Sequence, residues 1–420
     1  MTEAQTLLGP LTGLRVLELA DEKGQFCGKL LGDLGADVLK IEPPGGESTR
    51  RLGPFLDDIP HPERSLSFWY YNTSKRGLTL NLESADGRQL FQRLAAGADV
   101  ILETFRPGFF AALGLGYDRL AAQHPALIMC SLTPFGQTGP WRDYLSADLL
   151  HMAAGGQMAS SGYDETDVPN APPMAPGGGN AWHMGSHFAY IAIMAALVYR
   201  TVSGRGQYID ASIHEACALT TEAAIPNYIY RHEVVQRHTG RHHAVGPSPR
   251  TQFRSKDGLY VTALVAGRLN PRYIKDLAAL LDSYGMAGDL MDPKYQDPKV
   301  IAENQGHIID GLVATFIASL PAEEVYHAAQ ARGFTWGAVR APEQLLDDAH
   351  LQDRGFWKQV EHPELGRSYT YPGEAALYNG SPWAISRRAP LLGEHNQEIF
   401  CGECGLSPQE LAVLAESGIV

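Results

Sequence analysis

The sequence predicts an α/β protein whose first half is a parallel, doubly wound sheet. Short apolar runs alternate with helix-spaced segments from residue 14 to residue 213, and the first strand–helix–strand passage closes within residues 14–41. The composition agrees: 44% hydrophobic and 19% charged over 420 residues suits a globular chain that buries its core without staples. Taken in order, residues 14–19 read as a buried strand. Residues 24–34 read as a helix, with Phe26, Leu30, Leu31 and Leu34 at helical spacing and Gly35 ending it. Residues 36–41 form the second strand. Strands at 78–82, 99–102 and 127–132 then alternate with helices at 85–96 and 117–123. Longer helices follow at 148–158 and 181–202, and 208–213 alternates like a last strand.

After His214 the texture changes. Residues 220–250 are rich in His, Arg and Pro and read as a crossing linker, 252–265 as short strands around the turn Lys256-Asp257-Gly258, and 271–332 as helices. From residue 333 short strands and loops return. A final helix is capped by Ser407, with Glu410 completing a capping box.

Lys plus Arg total 34 and Asp plus Glu 47, a net charge of −13, which argues against a nucleic-acid partner but leaves room for a polyanionic small ligand held by local cations. The first ten residues show no basic region followed by an apolar run, so no signal peptide is expected. The longest apolar stretch, 188–199, is too short to span a bilayer, so no membrane is expected either. Five cysteines, an odd and mostly scattered set, suggest a reducing, cytoplasmic setting.

Several motifs invite chemistry. Glu42 ends the second strand where a ribose reader would sit, but Gly24-Gln25-Phe26-Cys27-Gly28 is not G-x-G-x-x-G, which argues against a dinucleotide. Cys401 and Cys404 form a C-x-x-C with no second close pair, read as two thiols on a surface turn. His232, His238, His242 and His243 lack companions at ligand spacing, so no metal is expected. Asn72-Thr73-Ser74-Lys75-Arg76-Gly77 and Thr104-Phe105-Arg106-Pro107-Gly108 are two basic loops next to strands. They suit a phosphorylated ligand with a flat ring, bound beyond the carboxyl ends of the sheet, or are simply solvated turns.

A set of ordered motifs runs from Leu11 to the C-terminus: Gly28-Lys29-Leu30-Leu31-Gly32-Asp33-Leu34-Gly35-Ala36-Asp37-Val38-Leu39-Lys40-Ile41-Glu42, then Pro43-Pro44-Gly45-Gly46, Asn72-x-x-Lys75-Arg76 and Phe105-Arg106-Pro107-Gly108. Leu113-Gly114-Leu115, Phe135-Gly136-Gln137-Thr138-Gly139-Pro140, Gly204-Arg205-Gly206-Gln207, Asp348-Ala349-His350-Leu351, Arg354-Gly355-Phe356 and Pro390-Leu391-Leu392-Gly393-Glu394-His395 complete it. In order and spacing the chain resembles the family III CoA-transferases, the group of formyl-CoA transferase, carnitine CoA-transferase and α-methylacyl-CoA racemase.

The resemblance implies a Rossmann-like large domain with a parallel sheet, a smaller α+β domain, and two subunits interlocked as rings. Residues 1–215 would begin the large domain, 216–330 form the linker and small domain, and 331–420 return to the large domain. Coenzyme A or acyl-CoA would be the substrate, together with a carboxylic acid. By position Lys75, Arg76, Thr104, Phe105 and Arg106 would hold its adenine and phosphates, Gly24, Gln25 and Phe26 would line the pantetheine entry, and Arg142 would lie near the thioester.

The resemblance also implies a nucleophilic Asp that attacks the thioester, forms a mixed anhydride and then carries CoA as an aspartyl thioester. Counting back from Ala195-Ala196-Leu197 reaches Asn180-Ala181-Trp182-His183, yet no Asp or Glu lies between Val168 and Val202. The racemase His is replaced by Ala147, with Asp148 beside it, and Val245-Gly246-Pro247-Ser248-Pro249 stands where formyl-CoA transferase has a glycine-rich loop. Three readings stay open. A partner subunit of the same family supplies the Asp; or the chain is self-sufficient as a transferase or isomerase, with His183 as nucleophile or base; or it binds acyl-CoA without catalysis. Trp141, Tyr144, Trp182 and Phe188 hint at a bulky or aromatic acid, although core packing accounts for aromatics equally well.

Overall fold

The computed structural model describes residues 9–420 apart from residues 165, 242, 247 and 266. Six strands, β1 (Arg15–Leu19), β2 (Asp37–Glu42), β3 (Lys75–Thr79), β4 (Val100–Glu103), β5 (Ile128–Thr133) and β6 (Tyr208–Ser212), form one sheet in the order β3-β2-β1-β4-β5-β6. Every neighbouring pair is parallel. The inner strands are buried almost end to end, as expected of Val-, Ile- and Leu-rich runs covered on both faces. Strand order reverses between β1 and β4, which opens a crevice at their carboxyl ends.

The connecting helices are α1 (Gln25–Asp33), α2 (Leu66–Tyr71), α3 (Ala85–Ala95), α4 (Phe109–Ala112), α5 (Tyr117–Ala121), α6 (Asp148–Ala154), α7 (Asn180–Ser203) and α8 (Ile213–Leu219). α1 lies so close to β1 that a Cβ on Gly28 would stand 1.6 Å from Glu18 Oε2, so only glycine fits there. Ser84 caps α3 by accepting from Gly87 N–H at 2.9 Å. The apolar run read at 188–199 is the middle of α7, a helix of 24 residues that is long and apolar enough to cross a membrane by length and composition. Here it packs against α1, α6, α8 and β5, with Ala181, Gly185, Ala189 and Ile193 buried at four-residue spacing.

The chain divides into two compact units. One runs to Gly155 and takes in Gly177–Thr220 and His350–Val420. Its core holds Leu17, Leu39, Leu78, Phe91, Ile101 and Phe400, and the chain's end joins it where Asn81 N–H donates to Ile419 O. The other unit comprises Gly156–Pro176 and Thr221–Ala349. It contains an antiparallel sheet of β7 (Gln252–Arg254), β8 (Tyr260–Ala263) and β9 (Trp336–Val339), packed through Phe253, Val261, Leu277, Phe316 and Trp336. Within the stretch read as linker, Ala224–Arg231 is helical. An antiparallel hairpin of β10 (Trp357–His362) and β11 (Arg367–Pro372) belongs to the first unit.

Candidate functional site

The crevice at the strand-order reversal is a cavity of about 700 Å³. Asp21 and Lys23 come from the turn after β1, Pro43, Pro44 and Glu47 from the loop after β2, and Phe105 and Arg106 from the turn after β4. Thr104 fastens two of these turns together: its hydroxyl donates to Asp21 Oδ1 at 2.9 Å and accepts from Asp21 N–H at 3.0 Å. A Cβ on Gly24 would stand 2.7 Å from Thr104 Cγ2, which brings the start of α1 against the same loop. Lys23 is paired with Asp21. Arg106 is exposed, lies 5.7 Å from the Phe109 ring centre, and has no ion-pair partner among the described residues. Arg142 joins it: one guanidinium nitrogen lies 3.6 Å from where a Cβ on Gly108 would be, and Nε contacts Asp143 at 3.4 Å.

The other expected cations lie elsewhere. β3 begins at Lys75, not at residue 78, so Lys75 and Arg76 stand at the amino end of a parallel strand, away from the carboxyl-end crevice. Lys75 is fully buried and gives its three protons to Glu18 Oε1 (3.0 Å), Gln25 O (2.8 Å) and Asn72 Oδ1 (2.9 Å), leaving no donor for a phosphate. Burial drives its pKa down to about 8 despite Glu18 beside it. Lys40, with Glu18 at 3.3 Å and Glu47 at 3.4 Å, goes the other way: burial opposes its charge, but Glu47, Glu18 and Glu42 hold the proton on more firmly than usual. Arg76 is claimed by Asp37 (2.6 Å), Glu398 (2.7 Å) and Glu403 (2.7 Å). The warning sign was present in the sequence: Glu18 and Lys40 interrupt otherwise apolar strands, and a charge on a buried strand demands a buried partner.

Around the first turn of α1, Gln25 is buried and its Oε1 accepts from Asn72 Nδ2 at 3.2 Å. Phe26 stacks on His183 with ring centres 4.8 Å apart and meets Tyr71 edge-on at 5.8 Å. His183 Nε2 lies 2.6 Å from Tyr71 Oη. Burial, then His187, lowers the His183 pKa, while burial, then Tyr70 and Asp148, raises that of Tyr71 to about 12, so the pair is neutral at pH 7. At the start of α7, Asn180 Nδ2 donates to Gly177 O at 2.7 Å, Ala181 N–H donates to Asp148 Oδ1 at 2.8 Å, and the Trp182 ring sits edge-on to His151 at 5.7 Å.

Two further residues have no local signal in the sequence. Tyr71 lies 112 positions from its partner His183. Glu103, the last residue of β4, is buried beneath the Arg106 turn and accepts from Phe105 N–H at 2.7 Å. Burial lifts its pKa to about 7 against the pull of Ser131 and that N–H. A second cavity of about 640 Å³ lies beside it, lined by Arg106, Tyr117, Arg119, Ser131 and Tyr208.

Among the described residues no group of three or more His, Cys, Asp or Glu could hold a metal ion. His238 pairs with Asp164 at 3.0 Å and His243 with Glu222 at 3.3 Å, while His242 lies outside the described residues. Cys401 and Cys404 are free thiols, both half-buried in and just after the helical turn Gln397–Glu403.

The family model for CoA-transferase family III matches residues 11–396. The succinyl-CoA:(R)-benzylsuccinate CoA-transferase subunit BbsE of Thauera aromatica is 30% identical over 409 residues, 97% of each chain. The succinyl-CoA–L-malate CoA-transferase beta subunit of Chloroflexus aurantiacus is 31% identical over 415 residues, 98% of each chain. Among solved structures, a CAIB/BAIF family protein from Brucella suis superposes with a TM-score of 0.79 at 27% identity, covering 94% of this chain and 99% of that one.

Proposed function

The chain belongs to CoA-transferase family III, and from that premise we propose that it is the Asp-lacking subunit of a heteromeric CoA-transferase. It would act with an acyl-CoA donor and a carboxylic acid of the succinate or aromatic-succinate type. The observation that carries this reading is the start of α7. No carboxylate lies between Val168 and Val202, Asn180 is turned onto Gly177 O, and His183 is engaged by Tyr71. An amide cannot form the anhydride that the transfer requires. Relatives named as subunits support the same reading.

In this reading CoA enters by the crevice. Arg106 meets its phosphates, and Arg142, expected near the thioester but held at the same Gly108 turn as Arg106, meets them too; Phe105 offers a ring face to the adenine, and the pantetheine passes the Cβ-free Gly24 on its way to Gln25 and Phe26. Lys75 and Arg76 keep structural roles, because their protons are committed within the fold. A second family III subunit supplies the Asp and covers exposed apolar side chains of α7 and α8 such as Ile191, Val198, Val202 and Leu219. Five free cysteines fit a reducing compartment such as the cytoplasm.

The test is exchange. The purified chain, given succinyl-CoA and benzylsuccinate or malate, should transfer no CoA; adding a family III partner with an Asp at the Asn180–Trp182 position should start the transfer. Exchange by the lone chain would refute the subunit reading.

A further inference from the structure

Just before α6, Ser146 Oγ lies 2.8 Å from His151 Nε2, the spacing of a nucleophile and its base. The histidine is fully buried in a box of rings: Phe135 at 4.9 Å, Trp182 at 5.7 Å and His214 at 6.4 Å between centres. The serine is half-buried, with the exposed side chains of Tyr144 and Leu145 leading up to it. His151 Nδ1 is buried with no hydrogen-bond partner among the described residues, and so is His214 Nδ1. A native fold seldom leaves such a group unsatisfied without a use for it. Burial, then the nearby His214 and Lys23, holds the His151 pKa down to about 4, so the ring is a neutral base at physiological pH. Trp182, which packs on His151, lies one turn before Ser186 on α7, and the Ser186 hydroxyl donates to the carbonyl of Lys23, a residue of the crevice wall, at 3.0 Å. Asp148 does not complete a triad, because its Oδ1 is held by Ala181 N–H.

We propose that Ser146 and His151 form a dyad that hydrolyses acyl-CoA thioesters, an activity separate from CoA transfer; it rests on the CoA reading of the crevice. Ser146 Oγ forms a bond to the thioester carbonyl carbon while His151 Nε2 takes its proton. The carbon–sulfur bond breaks, and the thiolate leaves with the proton from His151 as free CoA thiol. A water molecule then attacks the acyl-serine ester and gives its proton to His151, which returns it to Ser146 Oγ as the carboxylic acid departs. The sum is acyl-CoA and water giving acid and CoA thiol, with no acceptor acid and no change of oxidation state.

The experiment uses the full chain without acceptor acid and two probes, succinyl-CoA and p-nitrophenyl acetate. The wild type should release CoA thiol and nitrophenolate, with an acetyl group on the peptide that contains Ser146. Ser146→Ala, which removes only a hydroxyl, should lower both rates at least about 100-fold, and Ser146→Cys should restore acylation. The nitrophenolate burst should stay level from pH 8 down to about pH 5 and fall as pH approaches 4, where His151 takes up a proton. Equal rates in Ser146→Ala, an adduct on another residue, or no nitrophenolate from the wild type would overturn the dyad. Acetylation of Ser146 without binding or turnover of succinyl-CoA would uphold the dyad and refute the CoA reading instead.

Discussion

Two basic segments of this chain look alike on paper, and the fold treats them as opposites. Lys75 and Arg76 begin a strand; Arg106 follows one. The parallel sheet sends the first pair to its amino end, where Lys75 is sealed among Glu18, Gln25 O and Asn72 and Arg76 among three carboxylates. Arg106 is left exposed over the crevice with Arg142 nearby. A cation's neighbours, not its charge, decide whether it holds the fold or a ligand.

The largest effect that can break this contrast is on stability. Lys75→Ala leaves Glu18 buried with only Lys40 for company, and breaking a buried pair in this way costs about 3–5 kcal/mol. Urea titration should show that loss. A variant of unchanged stability with weakened CoA binding would reverse the assignment of the two segments.

Next comes Glu103, the titrating group beneath the Arg106 turn. Its folded pKa of about 7 lies above its unfolded value, so between about pH 4.5 and 7 the folded state holds a proton that the unfolded state has lost. Its contribution is therefore intact at low pH and lost as pH rises through 7. Glu103→Gln removes the penalty. The variant should gain about 2–3 kcal/mol on the wild type between pH 5 and pH 8 in parallel denaturation curves. Identical pH profiles would show that the acid is not desolvated in the folded protein.

Arg106→Ala should do the reverse of Lys75→Ala. Loss of charged hydrogen bonds to phosphate, worth about 1.5–3 kcal/mol, should weaken CoA binding about 10- to 100-fold by calorimetry. Stability should move by no more than about 0.5 kcal/mol, as for other surface changes. Unchanged affinity would remove Arg106 from the site.

The same contrast explains what could be read in advance. The strands of the main sheet announce themselves as apolar runs or, for β6, by alternation, and α1, α3 and α7 by helical spacing, because those signals are local. β3 is the exception: its first residues, Lys75-Arg76-Gly77, look like a loop because the carboxylate that permits a buried Lys75 stands 57 residues away. The Tyr71–His183 pair is illegible for the same reason, as its partners meet only after α2 and α7 have packed on α1. By contrast, Ser146 and His151 are five residues apart and were locally available; what could not be seen was that the rings of Phe135, Trp182 and His214 would seal the histidine.

The smallest expected effect sharpens the contrast within the open side. Arg142 shares the Gly108 turn with Arg106, but its side chain is 42% exposed and its Nε is near Asp143. A cation in that setting is screened by water and partly neutralised by its neighbour, so its attraction for a phosphate is worth about 0.5–1 kcal/mol. Arg142→Ala should therefore weaken CoA binding only about two- to fivefold, and the loss should vanish at high salt. The Arg106→Ala loss should persist, because bidentate guanidinium–phosphate geometry survives screening better than a diffuse charge. A loss from Arg142→Ala as large and as salt-resistant as that from Arg106→Ala would mean that Arg142 turns away from Asp143 when CoA binds and shares the phosphates equally.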